Sequence, residues 1–261
     1  MKIDYKKINL NSIITNPKSI PSSKKCEEDE ESKFMIPQKN LYRNGNHIYL
    51  FDEIDDRSQI FIQTEMSAAY KELMAANVES LSRGSEINDT IFIHINSCGG
   101  LVSSSLAIYD YIKSFPIPVV GIVEGIAASG ASIILCACAI RQATKHSHVL
   151  IHELRSGNYG KYSELVDDFI NNKTFMSELE DIYAKETLIP KEDLKDILSH
   201  DTFWDAETCK KLQIIDFIVG ENPDAAELEK RVALRLSNEE VLNKKDKKIE
   251  KKKTSKNLKT K

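Results

Sequence analysis

Ser129 stands in the run Gly125-Ile126-Ala127-Ala128-Ser129-Gly130-Ala131-Ser132, where every neighbour but Ile126 is small. Small side chains let a substrate backbone come close, and a helix opening here would add free N–H groups and a positive partial charge. Such a place can activate a hydroxyl or hold an oxyanion, although a serine at a helix start also serves simply as a cap. The run is not Gly-x-Ser-x-Gly, so the nucleophile elbow of α/β-hydrolases does not apply. Gly99-Gly100 follows the β-rich TIFIHIN (residues 90–96). Paired glycines there make a plain turn or a turn that aims its N–H groups into a cleft. The dinucleotide signature Gly-x-Gly-x-x-Gly is absent. His152 closes the apolar run Val149–Ile151 and could titrate near neutrality at a strand tip. On a continuous strand His146, His148 and His152 would share one face and could hold zinc, but Lys145 and Ser147 favour a turn. Cys136 and Cys138 lie inside an apolar run and read as buried thiols rather than metal or redox ligands.

Strands and helices must bring these groups together. Residues 1–40 carry Asn, Ser, Pro, Lys and an acidic cluster at 27–31 without a sustained apolar period, so they read as disordered. Order is expected from a β-like run near 47–51. Helical spacing follows over 65–81, then a strand ending at Asn96, a helix over 103–114 stopped by Pro116 and Pro118, and a strand over 118–123. An apolar helix should then run to Ala139, with a strand over 149–152, a long helix over 162–186, short helices over 191–198 and 206–212, and a last strand over 214–219. Repeated strand–helix–strand units with β-branched strands imply a mostly parallel sheet covered by helices.

The chain has 261 residues, 41% hydrophobic and 29% charged, an ordinary globular composition. Its apolar runs at 117–123 and 133–140 fall far short of the ~20 residues of a membrane span. The first residues lack the apolar stretch of a secretory signal, which leads us to expect a cytoplasmic location. Five cysteines, an odd number without regular spacing, do not form a disulfide framework. Residues 244–261 hold ten lysines against Asp246 and Glu250. With −4 on the whole chain, residues 1–243 carry −12. The lysine block reads as a solvated tail able to touch nucleic acid nonspecifically, and the acidic body argues against a nucleic-acid-binding core.

Taken jointly, Ile93–Ile112 (IHINSCGGLVSSSLAIYDYI), Gly125–Ser132 (GIAASGAS), Val149–Glu153 (VLIHE) and Phe203–Asp216 (FWDAETCKKLQIID) resemble the ClpP family of self-compartmentalising serine peptidases. The likeness extends to HIYLFDEIDD (residues 47–56) and covers about residues 46–220. It implies an α/β fold of the ClpP/crotonase type with a protruding handle helix at about 157–186. The domain would occupy 46–221, followed by a C-terminal helix at 222–243 and the disordered tail at 244–261, with residues 1–45 a disordered extension.

By this resemblance Ser129 is the nucleophile, His152 the general base, and the N–H groups of Gly100 and Gly130 the oxyanion hole. The acid carries over less directly. A gap-free count from Phe203 puts the family's aspartate on Ile197, a small deletion brings in Asp201, and a one-residue slip brings in Asp196. Asp201, beyond a helix end, is favoured over Asp196 on an exposed helix face. Cys98 stands where the family has proline, Glu153-Leu154 replaces Gln-Pro, and Gly130 replaces methionine and should open the cleft. The resemblance further implies stacked heptameric rings, an AAA+ unfoldase partner that uses the ATP, polypeptide substrates, and no metal or organic cofactor in this chain. Two other readings stay open: a weakly catalytic structural ring subunit or capsid-maturation protease of the same fold, and a crotonase acting on acyl-CoA thioesters.

Overall fold

The computed structural model describes residues 40–83, 89–221, 223 and 226–234. The expectations of disorder at residues 1–39 and in the lysine-rich tail lie outside these residues.

A hairpin opens the fold, with β1 (Leu41–Asn44) antiparallel to β2 (His47–Leu50). Ordered structure thus begins ahead of His47, because Gly45 takes φ 60° and turns the chain back on itself. Helix α1 (Asp56–Ser82) also starts earlier than apolar spacing suggested. Asp55 caps it reciprocally: its Oδ1 accepts from the Ser58 N–H at 2.9 Å, and its own N–H donates to Ser58 Oγ at 2.7 Å. Strand β3 (Ile91–Ser97) runs parallel to β2, and α2 (Val102–Lys113) follows. After β4 (Val119–Ala128) come α3 (Gly130–Ala137), β5 (Ile140–Ala143) and β6 (His148–Leu150). The long helix α4 (Tyr162–Glu186), α5 (Lys191–Leu198), β7 (Trp204–Asp205), α6 (Ala206–Lys211) and β8 (Phe217–Ile218) complete the order.

The sheet has eight strands in the order β1-β2-β3-β4-β5-β8, with β6 and β7 branching from β4. The branch arises within β4, which was expected to end at Val123. Residues 120–123 pair with β5, whereas Ile126–Ala128 pair with β6. Between the halves the register against β3 shifts, and Gly125 sits at φ 123° in the bulge. Asn96 Oδ1 accepts from the Ile126 N–H, and Ser147 Oγ from the Gly125 N–H, so no backbone donor is lost there.

Ile91, Ile93 and Ile95 point to one face of the sheet, against Ile108 and Ile112 of α2 and Ile133, Ile134 and Leu135 of α3. The other face carries Phe92, Val120 and Ile122, met by Leu228 and Val232 of the helical residues 226–234. His94 is buried on that face between His47 (2.9 Å) and Glu124 (2.8 Å), and burial pushes the His47 ring down to about 4.

Arg141 of β5, fully buried, anchors the base of α4. Its guanidinium donates to the Glu186 carboxylate (2.5 Å) and carbonyl (2.6 Å), to the Cys138 carbonyl (3.2 Å) and to the Cys136 carbonyl. Glu186 also accepts from Lys113 (2.6 Å) and Tyr109 (2.9 Å) of α2. Burial works to raise the Glu186 pKa, but Arg141 and Lys113 outweigh it and hold the carboxyl below its ordinary value. Towards its N-terminus α4 leaves the body: Tyr162, Leu165, Val166, Phe169 and Ile170 are exposed, while Leu179 and Tyr183 are buried.

Candidate active site

Ser129 lies between β4 and α3 at φ 54° and ψ −125°, a conformation that a residue with a Cβ seldom adopts. Its N–H donates to the Leu150 carbonyl at 2.9 Å, tying it to β6. The side chain caps no N–H of α3, although a cap was the ordinary alternative for a serine at this place. Ser129 is half-buried and lines a cleft of about 870 Å³.

Gly99-Gly100 meets the Ser129 turn edge to edge. A Cβ on Gly99 would stand 2.7 Å from Ser129 Cβ and 2.8 Å from Gly130 N. A Cβ on Gly100 would fall 2.0 Å from the Ile54 carbonyl oxygen. Only glycines allow this approach. Ile54 clasps the loop, its N–H donating to Gly99 O (2.8 Å) and its carbonyl accepting from the Leu101 N–H (2.7 Å). The Gly100 N–H takes no part in that bridge. The Gly130 N–H, in the first turn of α3, has no partner within its helix. Gly130 does not enlarge the cleft as its small size suggested: a Cβ there would lie 2.2 Å from Ser105 Oγ, so neighbouring side chains fill the space.

β6 pairs in parallel with the end of β4, Ala128 opposite Leu150, and this register brings His152 to the cleft that Ser129 lines. The His152 side chain is 11% exposed. Its Nδ1 lies 3.2 Å from Asp201 Oδ1, close but off the line of a well-formed hydrogen bond. Burial lowers the imidazole pKa below 6.5; Asp201 works in the opposite direction, and Arg155 adds to the lowering. A neutral imidazole can accept a proton.

Two anchors bring Asp201 there. The Glu153 N–H donates to the Leu198 carbonyl at the end of α5 (2.8 Å), and Trp204 of β7 pairs with Val149 of β6. The other carboxylate oxygen of Asp201 pairs with Arg155. Asp196 is exposed on α5, and Ile197 packs against the core. His146 and His148 are exposed on the turn and strand before the cleft, and β6 covers only 148–150, so the three histidines do not share a strand face. Among the described residues no group of three or more His, Cys, Asp or Glu could hold a metal ion.

The cleft is also lined by Leu154, Ile133, Phe175 and Leu179 and by Asp52, Glu53 and Cys98. Phe175 lines the cleft, whereas Phe169 on the same helix is exposed. Sequence reasoning also missed Arg155, Ile54 and Ser132, whose neighbours come from distant elements. The ensemble combines a strained serine, a low-pKa histidine beside a carboxylate, and two backbone donors at adjoining turns.

A family model described as Clp protease matches residues 43–222. The chain belongs to the Clp protease family. It is similar to the ATP-dependent Clp protease proteolytic subunit of Chlorokybus atmophyticus, 33% identical over 142 residues that are 54% of this chain and 63% of the relative. The same subunit of Pleurastrum terricola is 36% identical over 132 residues, 50% of this chain and 67% of the relative. That of Mesostigma viride is 31% identical over 143 residues, 54% and 62% respectively. The chain thus spans about two thirds of the length of these relatives. Its α/β sheet with a long helix leaving the body is the fold that the Clp protease resemblance implied.

Proposed function

We propose that the chain is the proteolytic subunit of a Clp-type protease, a serine endopeptidase acting on peptides and unfolded polypeptides. His152 takes the Ser129 hydroxyl proton as Oγ bonds to the scissile carbonyl carbon. Asp201 orients the imidazole and balances its charge, and the Gly100 and Gly130 N–H groups hold the oxyanion. The intermediate collapses to an acyl-enzyme as His152 passes its proton to the leaving amine. Water, deprotonated by His152, then bonds to the acyl carbon, and His152 returns the proton to Ser129 Oγ as the Oγ–carbon bond breaks and the acid leaves. The chemistry draws on no metal or organic cofactor from this chain. The observation that carries the reading is the cleft that joins Ser129, His152 and the diglycine, with Asp201 3.2 Å from the imidazole.

The exposed apolar stripe of α4 supports self-assembly into stacked heptameric rings, since contiguous apolar surface marks interfaces. Substrates would then be threaded in by an AAA+ unfoldase that spends the ATP, in the cytoplasm. A fluorophosphonate probe tests the chemistry. We expect labelling of Ser129, lost in Ser129→Ala together with cleavage of fluorogenic peptides. An unlabelled native protein would leave a structural ring subunit or a crotonase, and cleavage surviving in Ser129→Ala would move the nucleophile elsewhere.

A further inference from the structure

The carbonyl of Ser129 is held from inside the protein by two donors on one residue. It accepts from the Ser132 N–H at 2.9 Å and from Ser132 Oγ at 2.6 Å. Ser132 Oγ lies in turn 2.8 Å from the Tyr183 hydroxyl. Both side chains are sealed from water, Ser132 at 0% and Tyr183 at 1% exposure. The direction of the chain of bonds follows from proton counting. A serine hydroxyl has one hydrogen, and a carbonyl can only accept. The Ser132 proton is therefore committed to Ser129 O, and Tyr183 donates to Ser132 Oγ. Burial raises the Tyr183 pKa, so the phenol keeps the proton it donates.

A trans peptide is planar, with its C=O and N–H pointing in opposite directions. Whatever fixes the Ser129 carbonyl therefore fixes the Gly130 N–H, aimed the other way, out of the helix and towards the cleft. This peptide needs fixing more than most. Ser129, before it, sits at positive φ, and the residue after it is a glycine, which resists rotation least. A side chain in place of that glycine would require Ser105 to move, since a Cβ would lie 2.2 Å from its Oγ. We infer that Ser132 and Tyr183 are positioning residues that lock the 129–130 peptide with its N–H turned to the cleft, and that α4 thereby supports the oxyanion site from beneath. The inference rests on the serine-peptidase reading. It assigns Tyr183 a task that core packing alone does not require, since packing needs only the ring.

Ser132→Ala and Tyr183→Phe remove the hydroxyls and leave the packing volume nearly intact. Each would be compared with the native protein for kcat and KM on a fluorogenic peptide, for the rate of Ser129 acylation by a fluorophosphonate, and for melting temperature. Outright loss of one oxyanion donor costs about 10²–10³ in kcat, so a loosened donor should cost about 10- to 100-fold in Ser132→Ala and roughly 3- to 10-fold in Tyr183→Phe. KM should stay within about threefold, because the donor acts mainly on the transition state. The double variant should be no worse than Ser132→Ala, since both act through one carbonyl. If the native protein is acylated and both variants match its kcat and acylation rate within about twofold, or lose only in KM, the inference is overturned while the peptidase reading stands. If the native protein is not acylated at all, the peptidase reading fails and this inference with it.

Discussion

At the base of α4, Glu186 is enclosed by Arg141, Lys113 and Tyr109, and each of its oxygens has a donor. At the mouth of the cleft, Asp201 keeps its side chain 49% exposed and divides its carboxylate between His152 and Arg155, the contact with the imidazole imperfectly aligned. Both groups join a carboxylate to a cationic partner from a distant segment. They differ in how fully the bonding capacity is spent. Buried charges must be paired and hydrogen-bonded, because an uncompensated one costs several kcal/mol. A group that is to change its protonation needs the reverse: a partner near enough to steer it and loose enough to let the proton move. The complete cluster serves the fold, and the incomplete one suits the chemistry.

Four substitutions and one titration press on that contrast. Arg141→Met should have the largest effect, leaving Glu186 buried without its main counter-charge and costing about 3–5 kcal/mol of stability. Denaturant unfolding reads it, and a variant with an unchanged midpoint would erase the distinction. Asp201→Asn should do the opposite, lowering kcat at least ~100-fold, scaled down from the ~10⁴ of the worked triad, with stability within about 1 kcal/mol. Asp196→Asn should change neither; if it carries the loss instead, the acid has been misplaced. In the native protein, kcat/KM should fall as pH drops through the His152 pKa. Burial lowers that pKa, so the acid limb should lie below pH 6.5. A limb above 6.5 would mean that Asp201 outweighs burial. A smaller change than that of Asp201→Asn should come from Arg155→Met. Arg155 lowers the His152 pKa, so its removal should move the acid limb upward, with kcat within about threefold. A downward movement would show that Arg155 acts chiefly by aiming Asp201.

The long helix, Tyr162–Glu186, and α5, Lys191–Leu198, could be read to the residue, because apolar spacing and Pro190 mark them in one dimension. Ser129, His152 and the diglycine stood out for the same reason, as each closes a strand. Strand β5 escaped notice because Arg141 and Gln142 look like surface residues, and the partners of Arg141, Glu186 and Asp216, lie 45 and 75 positions away. The continuation of β4 beyond Val123 was hidden by Gly125, which marks a bulge here rather than a turn. Asp201 was preferred to Asp196 from a helix end alone; the backbone bond from Glu153 to Leu198 that brings it to His152 leaves no trace in composition. Ser132 was in plain view beside Ser129, but its task depends on Tyr183, 51 residues on.

The pairing of Ala128 with Leu150 has a consequence for how such a chain can diverge. Serine and histidine line one cleft because two strand ends lie side by side, so the length of the chain between them, through α3, β5 and the turn at 144–147, does not itself set their separation. Residues can be gained or lost there while the pair stays in place, provided that β5 keeps its register on β4 and that Arg141 and Ser147 keep their partners. A single residue inserted between Leu150 and His152 is another matter. It would lie between the paired strand end and the imidazole, and so would move His152 from the position that the pairing sets, although composition and fold scarcely changed. The separation of the pair is therefore measured from two strand ends, as on a ruler with one graduation, and not along the chain looped between them.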